Sequence, residues 1–400
     1  MPPFDGLSGT LAHFPEQSIL IHIINMKGWI DRDTALSRLR VKAQTLYAYA
    51  SRGRVRMQPD PTDSRRSLYN ADDIAEIAER KARGRKPAAI ATSSLSWGEP
   101  AIPTGLSTVH HGRLYYRGQD AMKLARLATL EDTAAHLWNV RDRPIFSSDA
   151  VDPETSAFSF LAGHISRDRS LLGRSSDHLA KDAALIIGGL ASVCGADSGS
   201  GPVHQRLARG WHCKSHVADR LRQALVVMAD HDLNASTFSA RVTASTGASL
   251  PACLLAGLCT LSGPRHGGAG EALRHLGEDA RRLGPAVAVK RWLERDRMLP
   301  GFGHNLYPNG DPRAALMLEG VEPPDHLRVL ASSVLDLTGM LPNCDYALAV
   351  MVDALGLPED APLRVFLIGR AVGWCAHIME QNRDGTLIRP RGRYEGILPV

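Results

Sequence analysis

Paired cysteines are missing from this 400-residue chain. Its six cysteines, Cys194, Cys213, Cys253, Cys259, Cys344 and Cys375, show no C-x-x-C spacing. That usage fits reduced thiols in a cytosol and excludes a disulfide-stapled secreted scaffold. No run of eighteen apolar residues occurs, so no membrane-spanning helix is expected. No Lys or Arg precedes Lys27, so no secretory signal is expected. His212, Cys213 and His216 have a faintly metal-like spacing but no second ligand cluster, and no metal is expected. Net charge is also absent from most of the chain. Residues 1–90 hold 15 Lys/Arg against 10 Asp/Glu, and the rest hold 32 of each, so the whole excess of +5 lies in the first quarter. A hydrophobic content of 44% excludes a disordered chain and supplies core for two or three globular units. A small basic module on an electroneutral body suggests two jobs, one of them with a polyanion.

Residues 1–25 have no convincing periodicity, and either Met26 is the natural start or they form a loose tail. A helix is expected over 33–39, with Asp33 or Thr34 as its cap. A second follows over 42–52 and ends at Gly53. On that helix Ala43, Leu46, Tyr47 and Ala50 share a docking face, and Gln44, Thr45, Ala48 and Arg52 point away. Short strands over 54–57 and 67–69 flank a Pro/Asp-rich tip carrying Arg65 and Arg66. A third helix is expected over 70–83, and 84–94 reads as a linker. This order resembles a winged helix-turn-helix of the MerR/excisionase type. The resemblance implies that double-stranded DNA is contacted by Gln44, Thr45, Arg52, Arg54, Arg56, Arg65 and Arg66, with arginines of the wing on phosphates. A helical hairpin used for protein contacts is the alternative.

Beyond the linker, from Ala121 onward, the apolar spacing is helical. The most informative stretch is Pro300-Gly-Phe-Gly-His-Asn-Leu-Tyr-Pro-Asn-Gly-Asp-Pro-Arg313. Glycines deliver His304 on backbone that bends sharply, and Asp311-Pro312 leaves Arg313 at the start of a helix. A histidine and an arginine so held suit a small dianion with a carbonyl to polarise; a surface loop containing both is the other reading. Gly263-Pro-Arg-His-Gly-Gly-Ala-Gly270 places His266 before a helix, where backbone N–H groups favour developing negative charge; a glycine-rich hinge with an incidental histidine is the other reading. Asp345 precedes an apolar run, a setting that raises a carboxyl pKa and suits either a base or a buried structural group. Arg370 lies in an apolar helix and needs an anionic partner, from within the protein or from a ligand.

Gly-Phe-Gly-His followed by Asp-Pro-Arg resembles the citrate synthase family, and segments in matching order extend the resemblance over roughly 95–396. It implies a mainly α, two-domain body, with a large domain over 95–262 and 348–400 and a small closing domain over 263–347. It further implies His266, His304 and Asp345 as catalytic residues. His231 and Asn234 of the Asp230–Thr237 segment, with Arg313, Arg370 and Arg389, would bind oxaloacetate, Arg389 reaching the neighbouring subunit of a homodimer. The implied reaction is a Claisen condensation of acetyl-CoA or propionyl-CoA with oxaloacetate, yielding citrate or 2-methylcitrate, with no bound cofactor. Where family members often carry basic residues for CoA phosphates, this chain has Asn305 and Pro308; Arg265 is the candidate replacement. Rivals on the same residues are a citryl-CoA lyase-like enzyme and a DNA-binding regulator that senses oxaloacetate or acyl-CoA.

Overall fold

Short polar side chains and glycines close the helices, not always at the expected residue. The computed structural model describes residues 28–51, 54–61, 63, 66–83, 102–147, 151–152, 154–296, 298–390 and 396. The proposed tail and the linker lie outside them. Contacts divide the chain into one unit of Met1–Ala101 with Arg391–Val400 and another of Ile102–Pro390.

In the first unit β1 (Trp29–Ile30), unforeseen from sequence, leads into α1 (Arg32–Leu39). Asp31 caps that helix, its carboxylate accepting the Thr34 N–H at 2.7 Å, which corrects the expected cap at Asp33 or Thr34. Arg40 ends it in the left-handed region and turns the chain into α2 (Ala43–Ser51). Next come β2 (Met57–Pro59), β3 (Ser67–Asn70) and α3 (Ala71–Arg83), and the strands form an antiparallel sheet in the order β1-β3-β2. The strand expected from residue 54 starts only at Met57. Arg54 N–H is held by Tyr49 carbonyl and Arg56 N–H by the Asp73 carboxylate, so neither donates to the sheet. Ala35, Leu39, Leu46, Val55, Tyr69 and Ile74 form the core. Tyr49 packs against it three residues from Leu46, and Tyr47, 48% exposed, lies off the docking face where it had been expected.

The second unit opens with β4 (Ser107–His110), β5 (Arg113–Tyr116) and β6 (Gln119–Asp120), antiparallel in that order. Thereafter it is helical: α4 (Ala121–Leu127), α5 (Leu130–Trp138), α6 (Ala157–Ile165), α7 (Ser176–Val193), α8 (Val203–Gly210) and α9 (Val217–Met228). These are followed by α10 (Ala235–Ser245), α11 (Leu250–Leu261), α12 (Ala269–Leu283), α13 (Pro285–Asp296), α14 (Pro312–Leu318), α15 (Asp325–Thr338), α16 (Cys344–Leu355) and α17 (Ala361–Asp384).

The main core surrounds α17, buried almost continuously from Val365 to Met379. A helix apolar on every side has no solvent face and must sit inside its neighbours. Gly369 and Gly373 make this possible: a Cβ at Gly373 would stand 2.2 Å from the Ala229 carbonyl oxygen, and one at Gly369 2.8 Å from that of Leu225. The end of α9 therefore rests on α17 backbone. A second core joins α12, α13 and α15 to Phe302, Tyr346 and Val350. Helix α16 serves both, sending Tyr346 and Val350 to the second core and Cys344, Ala347, Leu348 and Met351 to the first. Asp345 projects from this shared helix, at the seam.

Candidate active site

The loop before α14 is shaped by Gly301 (φ +83°) and Gly303 (φ +73°), both in the region that penalises a Cβ. Gly303 N–H donates to Leu341 O at 2.8 Å, Asn343 N–H to Gly301 O at 2.9 Å, and the Asn343 amide to Gly303 O at 3.1 Å. These bonds lash the His304 loop to the start of α16. His304 Nδ1 accepts the Leu306 N–H at 3.2 Å, so in the neutral ring Nε2 carries the proton and is a donor. At the loop's end Asp311 caps α14 and grips Arg313 through Nε at 3.0 Å and Nη2 at 2.7 Å. Burial disfavours the Arg313 cation, but Asp311 outweighs it and holds the pKa well above normal.

A second loop follows α9. Asp232 adopts φ +52°, a left-handed turn that Asp tolerates better than most residues, and it presents the buried His231. His231 Nε2 lies 3.0 Å from the Tyr307 hydroxyl, and its ring stands edge-on to His304 with centroids 5.0 Å apart. Asn234 caps α10: its carbonyl oxygen accepts from Thr237 N–H and Ser236 Oγ, and its amide donates to His231 O and Asp232 O. This carboxamide, expected on substrate, is committed to the loop itself. Ser236 Oγ also lies 2.7 Å from His266 Nε2 and accepts the Trp374 indole N–H at 3.3 Å. His266 occupies the turn just before α12, edge-on to Phe366 at 5.6 Å.

The two remaining groups set the electrostatics. Arg370 is 1% exposed, and its Nε donates to Met228 O at 3.1 Å, with the guanidinium over the Phe366 ring at 4.9 Å. Among the described residues no carboxylate forms an ion pair with it. Burial lowers its pKa, offset in part by Asp230. Burial pushes the Asp345 carboxyl up to about 6, against the pull of Arg313 and Arg370. Burial and Arg370 hold His266 down to about 4, and burial and Arg313 do the same to His304. His231 is held well below its usual range by burial, Arg313, His304 and Arg370. Arg370 thus acts electrostatically on His231, His266 and Asp345 alike. Such a site has uncharged imidazoles for hydrogen bonding, a carboxyl poised as a base, and guanidinium charge for anions.

Other expected residues stand apart. Arg389 is exposed on the extended segment after α17, and Arg265 is exposed beside His266; neither has a hydrogen bond or ion pair with a described residue. In the first unit Arg54 is exposed, Arg66 pairs with Asp63 at 3.5 Å, and Thr45 is half-buried. Arg56, expected on DNA, instead forms a two-pronged pair with Asp73 at 3.0 and 2.8 Å, a strut between hairpin and α3. Arg52, Arg65 and the Gln44 side chain lie outside the description. Sequence reasoning passed over Tyr307 and Ser236, and read Asp311 as the turn before α14 without its grip on Arg313. Tyr307 was the most visible, three residues after His304 in the same glycine-rich loop.

The model of the citrate synthase C-terminal domain matches residues 191–391. Citrate synthase from Haloferax volcanii is 38% identical over 192 residues, 45% of this chain and 51% of that protein. A 2-methylcitrate synthase from Mycobacterium tuberculosis is 34% identical over 194 residues, 45% of this chain and 49% of that one. The chain spans about half the length of these relatives in sequence. In fold the likeness extends further. Citrate synthase from Thermotoga maritima superposes with TM-score 0.65 at 24% identity, over 77% of this chain and 97% of that one. The ternary complex of Thermoplasma acidophilum citrate synthase with carboxymethyl coenzyme A and oxaloacetate gives 0.57 at 20% identity, over 75% and 95%. The matched stretch takes in both loops, the seam helix and α17, and this chain belongs to the citrate synthase family.

Proposed function

We propose that the second unit condenses an acyl-CoA, acetyl-CoA or propionyl-CoA, with oxaloacetate to give citrate or 2-methylcitrate and CoA. The observation that carries this reading is Arg370, a buried cation without an ion-pair partner among the described residues, sharing its field with Asp345, His266 and His231. An uncompensated buried charge is costly, and a substrate carboxylate relieves that cost. Arg313 and His231 complete the dicarboxylate site. Asp345 takes a proton from the carbon next to the thioester carbonyl, and His266 donates to the enol oxygen from Nδ1–H, the Ser236 hydroxyl turning from Asn234 to donate to its Nε2. The enol carbon attacks the 2-oxo carbon of oxaloacetate, and His304 Nε2–H protonates the oxygen that forms. Water then cleaves the thioester and CoA leaves as the thiol. The sequence matches to citrate and 2-methylcitrate synthases support both acyl groups.

Two further readings accompany it. The unit works as a homodimer in which Arg389 enters the partner's site; the exposed Arg389 and the apolar Leu172 (72% exposed) and Leu387 (60%) near the end of α10 favour this. The region over 263–347 closes on the large domain about the seam at α16. The test is CoA thiol release from oxaloacetate with each thioester, wild type beside Asp345→Asn. Turnover abolished by the substitution supports a synthase. Cleavage only of an added citryl-CoA thioester points to a lyase.

The first unit is read as binding double-stranded DNA. The order α1, turn, α2, hairpin, together with the localised positive charge and the exposed Arg54 and Arg66, favours this. Affinity for duplex DNA that falls steeply with salt supports it, and affinity indifferent to salt refutes it. DNA affinity that responds to oxaloacetate or acyl-CoA, without turnover, makes the protein a sensor.

A further inference from the structure

Beneath the dicarboxylate pocket lies a buried polar assembly that touches none of the reacting groups. Asp230, the residue before His231, is fully buried, and one carboxylate oxygen, Oδ2, accepts from Ser107 Oγ at 2.6 Å and lies 3.1 Å from His377 Nε2. Burial works to raise its pKa, and His377 first, with Arg370 and Ser107, outweighs that and keeps it ionised. The backbone is pinned as well: Asp230 N–H donates to the Tyr116 hydroxyl at 3.2 Å, and that hydroxyl lies 2.9 Å from Asp230 O. Gly373 provides the room, since a Cβ there would stand 2.8 Å from Asp230 Oδ1.

Ser107 has a second contact. Its Oγ accepts the backbone N–H of Asp232 at 3.0 Å. Asp232 is the left-handed residue that turns His231 into the pocket, a conformation that persists only when its surroundings hold it. One serine hydroxyl therefore joins the buried carboxylate on one side of His231 to the strained amide on the other. We infer that Ser107, at the start of β4, and Asp230 are positioning residues that set the affinity for the 2-oxo dicarboxylate by clamping the His231 turn, leaving the thioester side untouched. His377 fixes the clamp from α17, with its Nδ1 3.5 Å from Arg241 Nη1.

This inference rests on the assignment of the pocket to oxaloacetate, so the decisive measurement is calorimetric binding of oxaloacetate without thioester, beside KM for both substrates. Ser107→Ala is expected to weaken oxaloacetate binding about tenfold, from loss of one hydrogen bond to a charged group, with the thioester KM unchanged and a lower melting temperature because the buried Asp230 carboxylate loses a donor. Ser107→Thr, which keeps the hydroxyl, restores binding. Should Ser107→Ala not fold, His377→Gln is read by the same criteria. Wild-type oxaloacetate affinity in the variant, or parallel weakening of both substrates, overturns the clamp. A wild-type chain that binds no oxaloacetate overturns the pocket assignment instead.

Discussion

Replacing Asp345 by Asn separates a catalytic carboxyl from a structural one by moving activity and stability in opposite directions. Burial raises the carboxyl from its ordinary 3.8 to about 6. Between those values the folded chain binds more protons than the unfolded one, so its stability falls as pH rises through that window, and the whole cost is present above about 7. Two pH units at about 1.4 kcal/mol each set a ceiling of about 3 kcal/mol. The side chain is partly accessible from the cleft, and about half of this, roughly 1.5 kcal/mol, is the working figure. At about 2 °C per kcal/mol for a unit of this size, Asp345→Asn should melt about 3 °C above wild type at pH 8. The gap should close towards pH 4.5. Thiol release should fall at least about 100-fold in the variant. In wild type it should rise with pH through about 6 to a plateau, because the base works deprotonated. Thermal melts across pH 4.5–8 beside rate assays measure both. A variant that melts lower than wild type at pH 8, or an offset independent of pH, would show that the carboxylate holds the fold together and would refute the assignment.

Other expectations follow from the same contacts. Arg370→Leu should weaken oxaloacetate binding by about 3 kcal/mol, over 100-fold by calorimetry, since a charge-assisted pair to a buried carboxylate is lost; unchanged affinity would remove Arg370 from the site. Gly373→Ala should cost at least about 3 kcal/mol by denaturant titration, because its Cβ has no room beside the Ala229 carbonyl; near-normal stability would mean that α9 yields easily. Arg56→Ala should destabilise the first unit, read from local hydrogen exchange at β2 and α3, and leave the salt slope of DNA affinity unaltered; a slope reduced by about one would put Arg56 on a phosphate.

What could be read in the chain beforehand was what lies close together along it. His304 and Arg313 share one loop, and the glycines and Asp-Pro around them state its shape. The partners that tune these residues were illegible because they arrive from afar: Tyr307 meets His231 across 76 residues, and Ser107 meets Asp230 across 123. The capping role of Asn234 was missed for a local reason, since an Asn before a helix is as apt to cap it as to face a ligand. Tyr47 was placed on the docking face and Tyr49 given no role, because the apolar pattern of one short helix does not locate the centre of its buried face. Arg56 resembled a phosphate contact until the fold brought Asp73 beside it.

The low pKa values of the site histidines have a consequence for how the pocket meets its substrate. With His266 and His304 at about 4 and His231 also depressed, none of these rings changes charge between pH 6 and 9. The cleft's positive potential then comes from guanidinium groups that do not titrate in water's working range. Above about pH 7, where the Asp345 carboxyl is fully ionised, capture of a dianion is governed by a fixed field whose reach is the Debye length, about 8 Å at physiological ionic strength. The encounter rate should therefore respond to dissolved salt far more than to acidity, so that electrolyte, acting before any bond is made, is the variable that throttles this pocket.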